Sequence, residues 1–193
     1  MIGMTPLTQK VYTPEEYLAF EAKAEVRHEF INGEIIPMAG GTTKHNLITG
    51  NLYIALRLAL KDGNAPVYME NVKLWIPSVN IFTYPDVMVL AGDPVYYGDG
   101  QTTVMNPVVI IEVLSDSTRN YDQGEKFSFY RSLESLQEYV LVDQDKSVVM
   151  VYRRGTAKDW NLQILEDSTD VVQLNSVGVE VALSVIYEGS EDY

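Results

Sequence analysis

Pro107-Val108-Val109-Ile110-Ile111-Glu112-Val113-Leu114-Ser115 is the stretch that decides the fold. Its Val/Ile run predicts a strand covered on both faces, as at the centre of an α/β sheet. One residue breaks the pattern. A carboxylate at Glu112 is costly inside an apolar layer unless it is paired or bound to a metal. Upstream lies a second strand-like run, Val87-Met88-Val89-Leu90, which opens with Pro85-Asp86. Two acids at the ends of two core strands can converge on one divalent cation, which points to a metal-dependent hydrolase.

Composition narrows the chemistry. The chain has 193 residues, enough for one domain with a substantial core. It has no cysteine, which excludes disulfides, thiolate nucleophiles and cysteine zinc sites. Its two histidines, His28 and His45, exclude a multi-histidine centre. Any metal is therefore held largely by oxygen, which favours magnesium or manganese. No basic and then apolar leader opens the sequence, and no apolar run is long enough to cross a bilayer, so the expectation is a cytoplasmic protein with no membrane partner. The net charge of −13 counts against simple nucleic-acid binding, which leaves a basic footprint. A local basic patch can still coexist with an acidic exterior, and a bound cation reverses the sign of a site.

Residues 1–12 read as an N-terminal arm ahead of one domain over residues 13–193. Thr13-Pro14-Glu15-Glu16 carries a cap, a first-turn proline and a capping box, predicting a helix to about Ala24. Asn32-Gly33, between Phe30-Ile31 and Glu34-Ile35-Ile36, predicts a tight hairpin. A second helix is predicted over residues 43–61, with Leu47, Leu52, Ile54, Ala55, Leu58 and Ala59 as its apolar face and Gly63 as its stop. Short strands are predicted over 66–70, 72–76 and 84–90, and a surface loop over the Gly/Pro-rich 91–106. After the 107–114 strand come a helix over 118–132 and strands over 138–142 and 147–152, joined by a turn. Outer strands follow at 160–165 and 171–174. This order predicts an α/β fold, a mixed sheet with helices packed on it.

Side chains alternate across a strand, so Val108, Ile110, Glu112 and Leu114 share one face. In many metal-dependent nucleases a lysine stands two residues after this carboxylate, and here that position is Leu114. Leucine cannot orient water or stabilise charge, so the cation must come from elsewhere. Lys126 is the candidate, on the next predicted helix and four residues after Asp122, so that both point the same way.

These features resemble the Uma-two family, restriction-endonuclease-like proteins within the PD-(D/E)xK nuclease superfamily. The resemblance is carried by EVRHEFINGEIIPMAGGTTKHN, YPDVMVL, PVVIIEVLSDSTRNYDQGEKFSFYRSLESLQEYVLVD and VYRRG, in that order. It implies a restriction-endonuclease-like mixed β-sheet flanked by helices, and Mg²⁺- or Mn²⁺-dependent hydrolysis of DNA phosphodiester bonds. The family's Pro-Asp pair falls on Pro85 and Asp86, its core-strand glutamate on Glu112 and its relocated lysine on Lys126. On that reading Asp86, Glu112 and the backbone carbonyl of Val113 bind the metal. Lys126 positions the attacking water or stabilises the charge of the transition state. DNA is the implied partner, and cutting both strands suits a homodimer.

Glu34, His45 and Asp122 are candidates for a supporting ring around this site. Plainer readings stand beside these. Asp86 can be a turn residue, Glu112 half of a structural ion pair, Lys126 an exposed helix residue and Asp122 a helix-start charge. Glu29 and Glu34 can be solvated residues beside the hairpin turn. DNA would have to meet a locally basic surface built from Arg27, Lys44, Lys73, Arg119 and Lys126. Two rival functions remain open: an inactive nuclease-fold binding or assembly module, and a hydrolase of a smaller phosphodiester.

Overall fold

The structure is a computed structural model that describes residues 10–116, 118–156 and 159–190. Residues 1–9 of the expected arm lie outside the described residues. Helix α1 (Pro14–Glu21) starts with a full capping box: the Glu16 N–H donates to Thr13 Oγ1, and the Thr13 N–H donates to Glu16 Oε2. Strands β1 (His28–Ile31) and β2 (Glu34–Pro37) then form the predicted hairpin, with Asn32 and Gly33 at φ of 49° and 98°.

Gly33 is doubly constrained, because a Cβ added there would stand 2.4 Å from Val11 Cγ1. Gly33→Ala is expected to destabilise the fold by about 1–3 kcal/mol through the left-handed backbone and the clash. Urea unfolding beside the wild type measures this, and an unchanged midpoint would contradict it.

Helix α2 (Thr43–Ala59) buries Ile48, Thr49, Leu52 and Leu56. This corrects the expected apolar face, since Ile54 and Leu58 are 57% and 65% exposed. The helix is apolar on more than one side, so residue spacing selects no single stripe. The sheet beneath it takes the stripe spaced by four residues.

The remaining strands are β3 (Val67–Met69), β4 (Lys73–Ile76), β5 (Ile81–Thr83), β6 (Val87–Leu90), β7 (Thr103–Val104) and β8 (Pro107–Leu114). They continue with β9 (Glu138–Asp143), β10 (Val149–Arg154), β11 (Trp160–Leu165), β12 (Val171–Leu174) and β13 (Val179–Ala182). They form a six-stranded sheet in the order β11-β10-β9-β8-β6-β3, a five-stranded sheet in the order β2-β1-β5-β4-β7, and a β12-β13 hairpin. The six-stranded sheet is the expected mixed sheet, since β8-β9 is parallel and its other pairs are antiparallel, and the second sheet and the hairpin are additions to it. Strands β5 and β13 lie outside the expected strands, and β7 lies inside the expected surface loop, where it pairs parallel with β4. Strands of two or three residues are too short to carry a periodic signal.

Every residue of β8 is buried. It pairs antiparallel with β6 and parallel with β9. A parallel pair needs a crossover. The crossover is a helical run with α-helical ends, Arg119–Tyr121 and Phe127–Tyr130, and a π-helical centre, Asp122–Lys126. The six-stranded sheet is covered on both faces. One face packs on α2, the β12-β13 hairpin and the short helix Leu183–Ile186, through residues such as Leu52, Val109, Ile111 and Ile186. The other packs on the five-stranded sheet and the crossover, through Leu74, Ile110, Leu114 and Tyr130. The alternation of β8 puts Glu112 on that second face. Among the described residues no helix is long and apolar enough to cross a membrane.

Candidate active site

The β6-β8 ladder sets the first two residues of the site. Val87 faces Ile111, so the next rung brings Asp86 opposite Glu112. Directly opposed residues have Cβ atoms about 5 Å apart. The Val113 N–H donates to Asp86 Oδ2 at 2.7 Å, and the Asp86 N–H donates to Glu112 Oε2 at 3.3 Å. The Asp86 carboxylate thus takes a ladder hydrogen bond at the point where β6 begins.

The crossover brings the third residue. Leu114 is fully buried in the apolar layer, whereas Lys126 enters the same layer from the helix above it. Its Nζ lies 2.9 Å from Glu112 Oε1, 3.4 Å from Asp122 Oδ1 and 3.8 Å from Glu29 Oε1. The π-turn explains the aim. A four-residue step in an α-helix drifts by about 40° around the axis. A wider π-turn rotates less per residue and offsets that drift. Asp122, Lys126 and Tyr130 therefore all face the sheet and all are buried. The Tyr139 hydroxyl donates to the Asp122 carbonyl at 2.9 Å, tying the π-turn to β9.

The electrostatics follow from burial. Glu112 is 2% exposed, and burial pushes its carboxyl up to about 8. Lys126 opposes that shift, Asp86 and Asp122 add to it, and the Tyr130 hydroxyl, donating to Oε1 at 2.6 Å, opposes it again. Burial would also raise Asp86. His45, Lys126 and the Val113 N–H outweigh burial there and hold it below the usual carboxylate range. Burial would lower Lys126, but Glu112, Glu29 and Asp122 more than compensate and keep the ammonium charged. His45 sits in the first turn of α2 with Nε2 3.2 Å from Asp86 Oδ2. Burial works against its charged form, and Asp86 and Glu70 outweigh that, leaving its pKa raised.

The family described as "Putative restriction endonuclease", Uma2, matches residues 14–185. The chain belongs to the Uma2 family. It is 41% identical over 159 residues to "Uncharacterized protein sll1609" of Synechocystis sp. (strain ATCC 27184 / PCC 6803 / Kazusa), covering 82% of this chain and 90% of that protein. It is 34% identical over 179 residues to "Uncharacterized protein slr1290" of the same organism, covering 92% of each. In three dimensions it is similar to the crystal structure of "a putative nuclease belonging to DUF820" from Anabaena variabilis ATCC 29413. That likeness has a TM-score of 0.72 at 20% identity and covers 91% of this chain and 97% of the other. The fold is the restriction-endonuclease-like α/β fold that the Uma2 motifs imply.

The structure brings together Asp86, Glu112, Val113, Lys126, His45 and Asp122. It does not bring Glu34 to them. Glu34 opens β2 at the tip of the hairpin, opposite Ile31, and is exposed. Among the described residues no hydrogen bond or ion pair joins it to the cluster. Glu29, further from the turn, is the hairpin's contribution to the site. It is 7% exposed, with Oε1 accepting from the Thr83 hydroxyl and Oε2 from the Tyr121 hydroxyl at 3.1 Å. A signal for it existed, since Glu29 stands in a short apolar strand just as Glu112 stands in a long one. Nothing in the sequence marked Thr83, Tyr121 or Tyr130 as its companions.

Most cations of the expected basic surface have partners within the protein. Arg119 holds Asp143 through two hydrogen bonds, and Lys126 is buried among carboxylates. Arg27 donates to the Glu70 carbonyl at 2.8 Å. Lys73 is half-buried beside the Tyr84 ring.

The donor set of this Uma2 chain suits a hard cation. Asp86, just before β6, and Glu112, on β8, present carboxylate oxygen side by side, and the Asp86 side chain is 18% exposed. Among the described residues no group of three or more His, Cys, Asp or Glu side chains is arranged to hold a metal. Magnesium is commonly held by one or two carboxylates and completes its shell with water.

Proposed function

We propose that this protein is a divalent-cation-dependent endonuclease acting on DNA phosphodiester bonds. The observation that carries the reading is the single cluster formed by Asp86, Glu112 and Lys126 where β6 begins and β8 nears its end, in a chain of a nuclease-type family. Asp86, Glu112 and the Val113 backbone carbonyl would hold Mg²⁺ or Mn²⁺. Such a cation supplies Lewis-acid polarisation of the phosphodiester. His45 braces Asp86, and the Tyr130 hydroxyl fixes the rotamer of Glu112. The Lys126 ammonium orients the attacking water or stabilises the charge that grows on the phosphoryl oxygens.

The test is cleavage of supercoiled plasmid at low salt with Mg²⁺ or Mn²⁺, beside a dinucleotide phosphodiester substrate. Cleavage of the plasmid supports the reading. The acidic chain and its internally committed cations favour a second reading, a hydrolase of a smaller phosphodiester. Cleavage of the dinucleotide alone would select it. No cleavage of either substrate under any divalent ion would leave a nuclease-fold binding module. A symmetric homodimer would present two sites for a double-strand cut, which sedimentation on duplex DNA can detect.

Cation binding should depend on pH. The Glu112 carboxyl keeps its proton up to about 8, and a cation must displace that proton. Affinity for Mg²⁺ is therefore expected to weaken by up to about tenfold per unit as pH falls below that value. Calorimetric titration at neutral and alkaline pH measures it, with proton release read from buffers of different ionisation enthalpy. A flat affinity without proton release would remove Glu112 from the cation site.

A further inference from the structure

Three buried carboxylates surround one ammonium at Lys126, and the proposed chemistry uses only Glu112. The other two differ in what they can do. Asp122 lies one turn back on the same helix, so it moves with Lys126 and cannot fix it relative to the sheets. Glu29 comes from β1 in the five-stranded sheet. Its two oxygens are fixed from two directions, by Thr83 on the neighbouring β5 and by Tyr121 on the crossover. Glu29 is thus a rigid carboxylate whose position owes nothing to Glu112. Among the described residues its ion-pair partner is Lys126, 3.8 Å away.

We propose that Glu29 is a positioning residue for Lys126, holding the ammonium between the two sheets when the Glu112 carboxylate is committed to a cation. The contact stands on geometry, and its consequence for rate rests on the nuclease reading above. A lysine has a long, flexible stem, and one carboxylate shared with a divalent cation is a weak tether for it. Glu29 supplies a second tether that a bound cation does not draw on.

Glu29→Gln keeps the shape of the side chain and removes its charge. Two measurements are made on the same samples: a ¹H–¹⁵N spectrum of the Lys126 ammonium, assigned with Lys126→Met, and plasmid cleavage kinetics. The expected result is a displaced or broadened ammonium signal and a kcat lower by about ten- to a hundredfold. KM should stay within about twofold, because the tether acts on the chemical step and not on binding. A thermal melt establishes that the variant is folded. If it is not, Tyr121→Phe, which releases only Oε2 of Glu29, carries the same readouts with a smaller effect. An unchanged ammonium signal overturns the proposal whatever the kinetics show. A displaced signal with unchanged kcat overturns it as well. If the wild type cleaves nothing, the nuclease reading fails, and the ammonium signal still decides whether Glu29 holds Lys126.

Discussion

Glu112→Gln is expected to abolish cation-dependent cleavage while leaving the fold intact. Glutamine fills the same space on β8 and can still accept from the Tyr130 hydroxyl, but it lacks the charge that would hold a cation beside Asp86. Loss of that charge should lower the rate by about a thousandfold or more, some 4 kcal/mol of transition-state stabilisation. Stability should move the other way. The Glu112 carboxyl is raised from 4.5 to about 8 by burial, so its contribution is fully present below the unfolded value. It is lost as pH rises through about 8, where the buried group must ionise. The cation-free variant should therefore melt at or above the wild-type temperature, with the largest gain above pH 8. Plasmid assays and melts in chelator at several pH values test both halves. Equal cleavage by the two proteins would remove Glu112 from the mechanism and point to a contaminating nuclease.

Lys126→Met should be damaging in two ways. Methionine matches much of the lysine stem but leaves Glu112, Glu29 and Asp122 facing one another without a cation. Removing one partner of a buried ion pair typically costs about 3–5 kcal/mol. The cost should be greatest at alkaline pH and shrink in acid, because protonation of the carboxyls relieves the repulsion. Cleavage should be lost even at temperatures well below the melting point of the variant. A loss of stability under about 1 kcal/mol would mean that the ammonium is solvated, as surface pairs are. Full activity in a folded Lys126→Met would transfer its role to another cation.

Much of the local structure was legible because the sequence carries local signals. The capping box of α1 and the Asn32-Gly33 turn are decided by neighbouring residues alone, and both form as read. The burial of β8 on both faces follows from its Val/Ile run. Other features were not legible. The spacing of apolar residues does not single out the buried stripe of α2, because that helix is apolar on several sides. Strands β5 and β7 exist through their partners and are too short to announce themselves. The π-turn at Asp122–Lys126 has no propensity signal, and it is what aims Asp122, Lys126 and Tyr130 together.

The candidate site divides along the same line. The sequence by itself determined which residue types were out of place, a glutamate in a Val/Ile strand and an aspartate at the mouth of its neighbour. It also determined that any metal must be oxygen-held, since cysteine is absent and only two histidines exist. Whether those acids meet depends on strand register, and the β6-β8 pairing sets Asp86 opposite Glu112. Which cation joins them depends on where the crossover packs, and which carboxylate tethers that cation depends on how the second sheet docks. Glu29 and Glu34 look alike beside one hairpin turn, yet only Glu29 faces the site. Such choices belong to the tertiary structure because they concern residues far apart in the chain, whose burial costs are offset only after the sheets have come together.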